Sequence, residues 1–148
     1  MDQALFRLIN GLAGRTPLLD GFMRLLVNDY FVPILLFLLL VGFWFSGQGE
    51  EREKNQRAAL RVIVALLVVN ALVKLCNLFY FRPRPFSVQE VHLLFYRPSD
   101  SSLPSNPAAV AFTFAAVLWR RERAWGALAG LLATLFGLAR IFCGVHYP

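Results

Sequence analysis

YFVPILLFLLLVGFWF, residues 30–45, carries no charged side chain and reads as apolar all the way round a helix. A bilayer core of about 30 Å takes about 20 helical residues, and shorter runs suffice when they tilt or when flanking side chains snorkel. Three further runs follow, at Val62–Phe81, about Pro107–Trp119 and Trp125–Cys143. Four such runs in one chain predict an all-α fold, a polytopic transmembrane helix bundle. Composition agrees: 57% of the 148 residues are hydrophobic and only 16% charged, against roughly 25% charged in an average soluble chain.

The net charge of +6 first suggests nucleic acid. The basic residues, however, lie between the apolar runs and form no stripe, so membrane orientation and anionic lipid account for them better. No nucleic-acid partner is expected. Cys76 and Cys143 fall inside apolar runs without metal-ligand spacing, so they read as small apolar fillers and no metal is expected. No cleavable leader is expected at the N-terminus.

Residues 1–28 read as two interfacial helices. Ala4, Leu5, Leu8, Ile9 and Leu12 recur at helical spacing until Gly14 breaks the pattern. Thr16-Pro17 then starts a second amphipathic piece, with a hydroxyl at the cap and proline in the first turn. Transmembrane helices are expected at 30–45, 62–80, 107–119 and 125–143. Ser46–Arg61 reads as a polar loop, Phe81–Asn106 as a long loop rich in Pro, Ser and Arg, and residues 120–123 as a tight basic turn. Residues 1–148 make one membrane-embedded domain.

The connectors after the first and third spans must share a side, and together they hold Arg52, Lys54, Arg57, Arg61, Arg120, Arg121 and Arg123. The positive-inside rule places them in the cytoplasm. The Phe81–Asn106 loop and the end of the last span then face outward. That loop keeps Arg82, Arg84 and Arg97 against the rule, which suggests an anion to hold. Topology also brings three polar clusters together: FRPRPF (81–86), SLPSNP (102–107) and ARIFCGVHYP (139–148). Arg84, stiffened between two prolines, offers a planar fork suited to phosphate oxygens. Ser105 and Asn106 precede a helix whose N-terminal dipole favours an anion. Arg140 supplies a second fork, and His146 a nucleophile or proton carrier near neutral pH. Each has a plainer role when taken singly: a solvated loop charge, a helix cap, a snorkelling arginine, a packed histidine. Their convergence on one face favours the site. Six residues on an unbroken helix rise about 9 Å and rotate off one face, so Arg140 and His146 can share a phosphate only across a break, which Gly144 supplies.

In this order around short membrane helices, Arg-Pro, Pro-Ser and Arg-five residues-His resemble the type 2 phosphatidic acid phosphatase superfamily. LFRLINGLAGRTPLLDGFM (5–23) and YFRPRPF (80–86) resemble its bacterial undecaprenyl pyrophosphate phosphatase branch. The resemblance covers essentially the whole chain. It implies hydrolysis of a polyprenyl diphosphate, without metal or cofactor, through a phosphohistidine at His146. Arg84, Ser105, Asn106 and Arg140 would hold the phosphate oxygens. It further implies an outward-facing site in the bacterial inner membrane, lipid as the partner, carrier-lipid recycling for the cell wall, and bacitracin tolerance.

The family pattern is also broken in places. Its second-motif histidine, the proton donor to the leaving group, is Pro107 here, and His92 is the candidate substitute acid. Its first-motif lysine falls on Asn77, with Lys74 one turn deeper as a candidate phosphate ligand. The serine before Arg140 is Ala139. The aspartate that would orient His146 falls at position 150, so the domain is expected to continue past Pro148. A broader lipid phosphatase acting on phosphatidic acid or phosphatidylglycerol phosphate, a catalytically impaired diphosphate binder and a membrane scaffold all stay open at this point.

Overall fold

The computed structural model describes residues 2–148, and every regular element among them is a helix. In chain order these are α1 (Asp2–Asn10), α2 (Pro17–Val27), α3 (Phe31–Phe45), α4 (Glu50–Phe79), α5 (Pro85–Val88), α6 (Asn106–Arg121) and α7 (Arg123–Phe142). By length and composition α4 and α7 can each cross a membrane, and α2 with α3 form a third candidate span bent by 58° at residues 28–30. α6 has 16 residues, about 24 Å of helix, so it is shorter than a hydrocarbon core of ~30 Å.

The polar stretch 46–61, expected as a loop, is mostly helix: α4 begins at Glu50 and runs 30 residues without interruption. Glu50, Glu51 and Glu53 occupy its first turn, where the helix dipole favours carboxylates. Lys54 and Arg57 then pair with them at helical spacing, Lys54 with Glu50 and Glu51 and Arg57 with Glu53. Charge patterning thus extends the apolar span into a solvated helical stem.

α7 is the centre of the bundle. α6 packs along it most extensively, α4 lies against α6, and α1, α2 and α3 cover its remaining sides. Small residues permit the close approach: Ala111, Ala129 and Ala133 are buried between larger Leu118 and Phe136. The α6–α7 hairpin turns on Glu122 alone. A Cβ at Gly126 would lie 2.3 Å from the Trp119 Cα, so this turn closes only over glycine.

Much of the apolar surface faces outward. Along α4, Leu60, Ile63, Val64, Leu67, Val68 and Leu72 are exposed, as lipid-facing positions would be. The N-terminal helix is oriented unlike a soluble amphipathic helix. Leu5, Leu8 and Leu12 point away from the protein, while Phe6, Asn10 and Ala13 are buried against it. The apolar stripe is therefore free to lie in an interface, and the packed face carries a polar residue.

Candidate functional site

The end of α4, the start of α6 and the end of α7 meet at one end of the bundle. After Tyr80 the chain runs extended to Arg84, turns through α5, and folds back so that Ser102 N–H donates to the Arg82 carbonyl at 2.9 Å. The Arg82 N–H in turn donates to Ser101 Oγ at 3.0 Å. These bonds bring residues 82–84 alongside 100–103, next to the last turn of α7.

That turn reverses at Gly144, whose φ of +81° lies in the left-handed region. Val145 N and His146 N both fold back onto the Arg140 carbonyl, at 3.1 and 3.3 Å. Arg140 and His146 thereby reach the same place although six residues separate them. Arg84, Arg140 and His146 are each 3% exposed.

Arg84 spends its fork within the protein. Nε donates to the Asp100 carbonyl at 2.8 Å and Nη2 to Asp100 Oδ1 at 2.7 Å. Nη1 donates to the Val145 carbonyl at 2.8 Å and stands 2.9 Å from His146 Nε2. A guanidinium can only donate, so His146 Nε2 must accept and the ring proton sits on Nδ1. Nδ1–H then donates to the Ser102 carbonyl at 3.0 Å. Burial first, then the nearby Arg140 and Arg84 charges, depress the imidazole to about 3, so the ring is neutral at physiological pH. The result is a neutral histidine with its Nε2 lone pair turned toward Arg84.

Arg140 is held differently. Its Nη1 lies 3.4 Å from Asp29 Oδ1, and Asp29 Oδ2 accepts from the Tyr96 hydroxyl at 2.6 Å. The hydrogen bond to Asp29 also raises the Tyr96 phenol above its ordinary range. Arg140 Nε, Ser102 Oγ and Ser105 Oγ are buried and have no hydrogen-bond partner among the described residues. All three residues line one cavity of about 230 Å³, together with His146, Tyr147, Ala108 and Gly137. Three residues of one cavity beside the N-terminus of α6 thus each keep a potential donor in reserve, an arrangement that can serve an oxyanion. The volume is below the roughly 300–1,000 Å³ of whole-ligand pockets, so the cavity suits a headgroup and not a complete lipid. Tyr147 closes one side. Its ring lies 5.4 Å from that of Phe6 and under the Arg82 guanidinium at 4.4 Å, and Arg82 also pairs with Asp2.

The other candidates lie elsewhere. Asn106 opens α6 with a buried Oδ1 that has no partner among the described residues, but it does not line the cavity. The His92 side chain lines a separate, wider cleft between α1, α5 and the 89–97 loop. Lys74 is exposed on α4, away from the cavity lining. Pro107 occupies the first turn of α6 and can donate no proton. Sequence reading missed Asn10, Asp29, Tyr96 and Asp100, and held Ser102 only as the first residue of the 102–107 cluster. Of these only Asn10 left a local signal, as a polar residue one turn after the buried Phe6.

Residues 58–148 match the sequence profile of the PAP2 superfamily. The whole chain aligns with undecaprenyl-diphosphatase BcrC of Bacillus subtilis at 31% identity, covering 74% of that protein. It aligns equally fully with the putative undecaprenyl-diphosphatase YbjG of Escherichia coli at 28% identity, covering 72% of it. Among solved structures, LpxE of Aquifex aeolicus superposes with a TM-score of 0.73 and 35% identity over 99% of this chain and 83% of that one. The PAP2-type phosphatidylglycerolphosphate phosphatase of Bacillus subtilis shares the fold, with a TM-score of 0.64 and 21% identity over 98% of this chain and 74% of that one.

Proposed function

This chain belongs to the PAP2 superfamily, and from that premise we propose that it hydrolyses a polyprenyl diphosphate, undecaprenyl diphosphate, to the monophosphate and phosphate. One observation carries the reading: His146, with a neutral imidazole, lines a single headgroup-sized cavity together with Arg140, Ser102 and Ser105, each of which holds a buried polar atom with no partner among the described residues. The names borne by the BcrC and YbjG relatives supply the substrate class.

In this reading the Nε2 lone pair of His146 attacks the terminal phosphorus. The P–O bond to the lipid phosphate breaks, and the bonding pair leaves with that oxygen. As positive charge develops on the ring, the Ser102 carbonyl holds the Nδ1 proton. Arg140 Nε and the two hydroxyls take the equatorial oxygens, which is where preorganised donors contribute most. Arg84 Nη1 must transfer its proton contact from Nε2 to a phosphate oxygen before attack. Water then adds to the phosphohistidine, the N–P bond breaks, and the ring is restored with release of phosphate. A lipid phosphate leaves with less help from an acid than an alkoxide needs, so the chemistry tolerates Pro107 at a cost in rate. The site faces outward in the inner membrane, where hydrolysis recycles the carrier lipid and confers bacitracin tolerance.

The cavity has room only for a headgroup, which favours a second reading as a broader lipid phosphatase. Phosphate release from undecaprenyl diphosphate, phosphatidic acid and phosphatidylglycerol phosphate in detergent separates the two. His146→Ala is expected to lower release on the order of 10³-fold or more and to abolish an acid-labile phosphoenzyme. Unchanged release by that variant would overturn both. Retained lipid binding by a wild-type chain that releases no phosphate would leave a binder.

A further inference from the structure

We propose that Asn10 is the positioning residue for the His146 turn, reaching it from the N-terminal helix. The proposal rests on the reading of His146 as nucleophile, but its geometry can be read separately. Asn10 is 4% exposed on the packed face of α1. Its Nδ2 donates to the Phe142 carbonyl at 2.8 Å and to the His92 carbonyl at 2.9 Å. Its Oδ1 accepts from the His92 N–H at 3.0 Å. Phe142 is the last residue of α7, where carbonyls have lost their intrahelical partners. The carboxamide therefore caps α7 from 132 residues away and ties that cap to the 91–94 strap. The strap itself bonds the turn, Leu94 N–H to the Cys143 carbonyl at 3.2 Å.

Gly144 is pressed onto this bridge. A Cβ there would lie 3.0 Å from the His92 carbonyl oxygen and 3.3 Å from Asn10 Nδ2. The turn that folds His146 back over Arg140 thus rests on the Asn10–His92 contact. No other side chain of this size supplies two donors and an acceptor in one plane. Asn10 touches no reacting atom. It acts by fixing where Nε2 points, and it uses only the backbone of His92.

The test uses the full chain in detergent, with Asn10→Leu and Asn10→Asp beside Arg7→Ala as a control on the same helix. Both Asn10 variants are expected to lose about 10- to 100-fold in kcat for undecaprenyl diphosphate with KM within about threefold, the scale of a misplacement near 1 Å. Arg7→Ala is expected to keep both constants. Ring ¹⁵N NMR supplies a readout independent of turnover: wild-type His146 shows the single Nδ1–H tautomer, and the Asn10 variants a mixture. Gly144→Ala pushes on the same contact from the other side and is expected to reproduce the mixed signal. An unchanged tautomer signal in a folded Asn10 variant, or a loss confined to KM, overturns the positioning role. If the wild type releases no phosphate, the tautomer arm still decides the inference while the nucleophile reading fails by itself.

Discussion

At the end of the bundle where α3 hands over to α4, charges pair with neighbours on their own helix and in water. Lys54 meets Glu50 and Glu51, Arg57 meets Glu53, and among the described residues only Arg121 reaches across to Glu51. At the other end Arg84 and Arg140 are buried, and their partners lie far off in sequence. Arg140 meets Asp29 across 111 residues, and Arg84 meets His146 across 62. The same residue type is cheap and replaceable in the first setting and constrained in the second. Exposed helical pairs contribute about 0–1 kcal/mol each, whereas a buried guanidinium that loses a partner leaves an unpaired charge that costs several times more.

Four substitutions and titrations probe that contrast, ordered by expected effect. Arg140→Gln should lower phosphate release by about 10²- to 10³-fold, the scale for removing an oxyanion donor, because it deletes the unpartnered Nε and the pair with Asp29. Activity within tenfold of wild type would show that this end is no more demanding than the other. Pro107→His should raise kcat by about 10- to 100-fold if position 107 is where a general acid belongs; no gain, in a variant with unchanged KM, would place the proton source elsewhere.

The third is a titration. With its pKa held near 3 in the folded chain against about 6.5 for a free histidine, His146 should show no NMR midpoint between pH 5 and 8. The unfolded chain binds this proton more readily, so stability supplied by the neutral ring is complete above about pH 6.5 and is lost as pH falls toward 3. Arg84→Gln removes one of the like charges and should move the midpoint upward; a midpoint that stays put would assign the depression to burial and Arg140. Smallest of all, Arg57→Ala at the far end should change activity less than about twofold and stability by less than about 1 kcal/mol, read as Tm in the same detergent.

The apolar runs made the helical membrane fold legible, because a bilayer imposes length and hydrophobicity on each run separately. Arg84, Ser105, Arg140 and His146 could be named because they lie at the ends of such runs, where a charge stands out. Ser46–Arg61 misled because a charged stretch can be either a loop or a helical stem, and the i,i+4 pairs Glu50–Lys54 and Glu53–Arg57 are what separate the two. The stripe of Leu5, Leu8 and Leu12 showed a helix but not which way it faces, since lipid and protein both accept leucine. Asp29, Tyr96, Asp100 and Asn10 escaped for another reason. Their partners are chosen by tertiary approach, and no local periodicity encodes a bond from Asn10 to the end of α7.

The hydrogen bond from Arg84 to His146 has a consequence for the chain's life between turnovers. An imidazole lone pair open to its surroundings is a good ligand for copper and zinc, whose affinity for nitrogen sites is high. Arg84 covers that lone pair with a fixed cation, which repels a metal ion and leaves it no coordination site. Only a ligand with enough negative charge to draw Nη1 away would uncover the ring, so the contact with Arg84 disfavours a metal ion at His146.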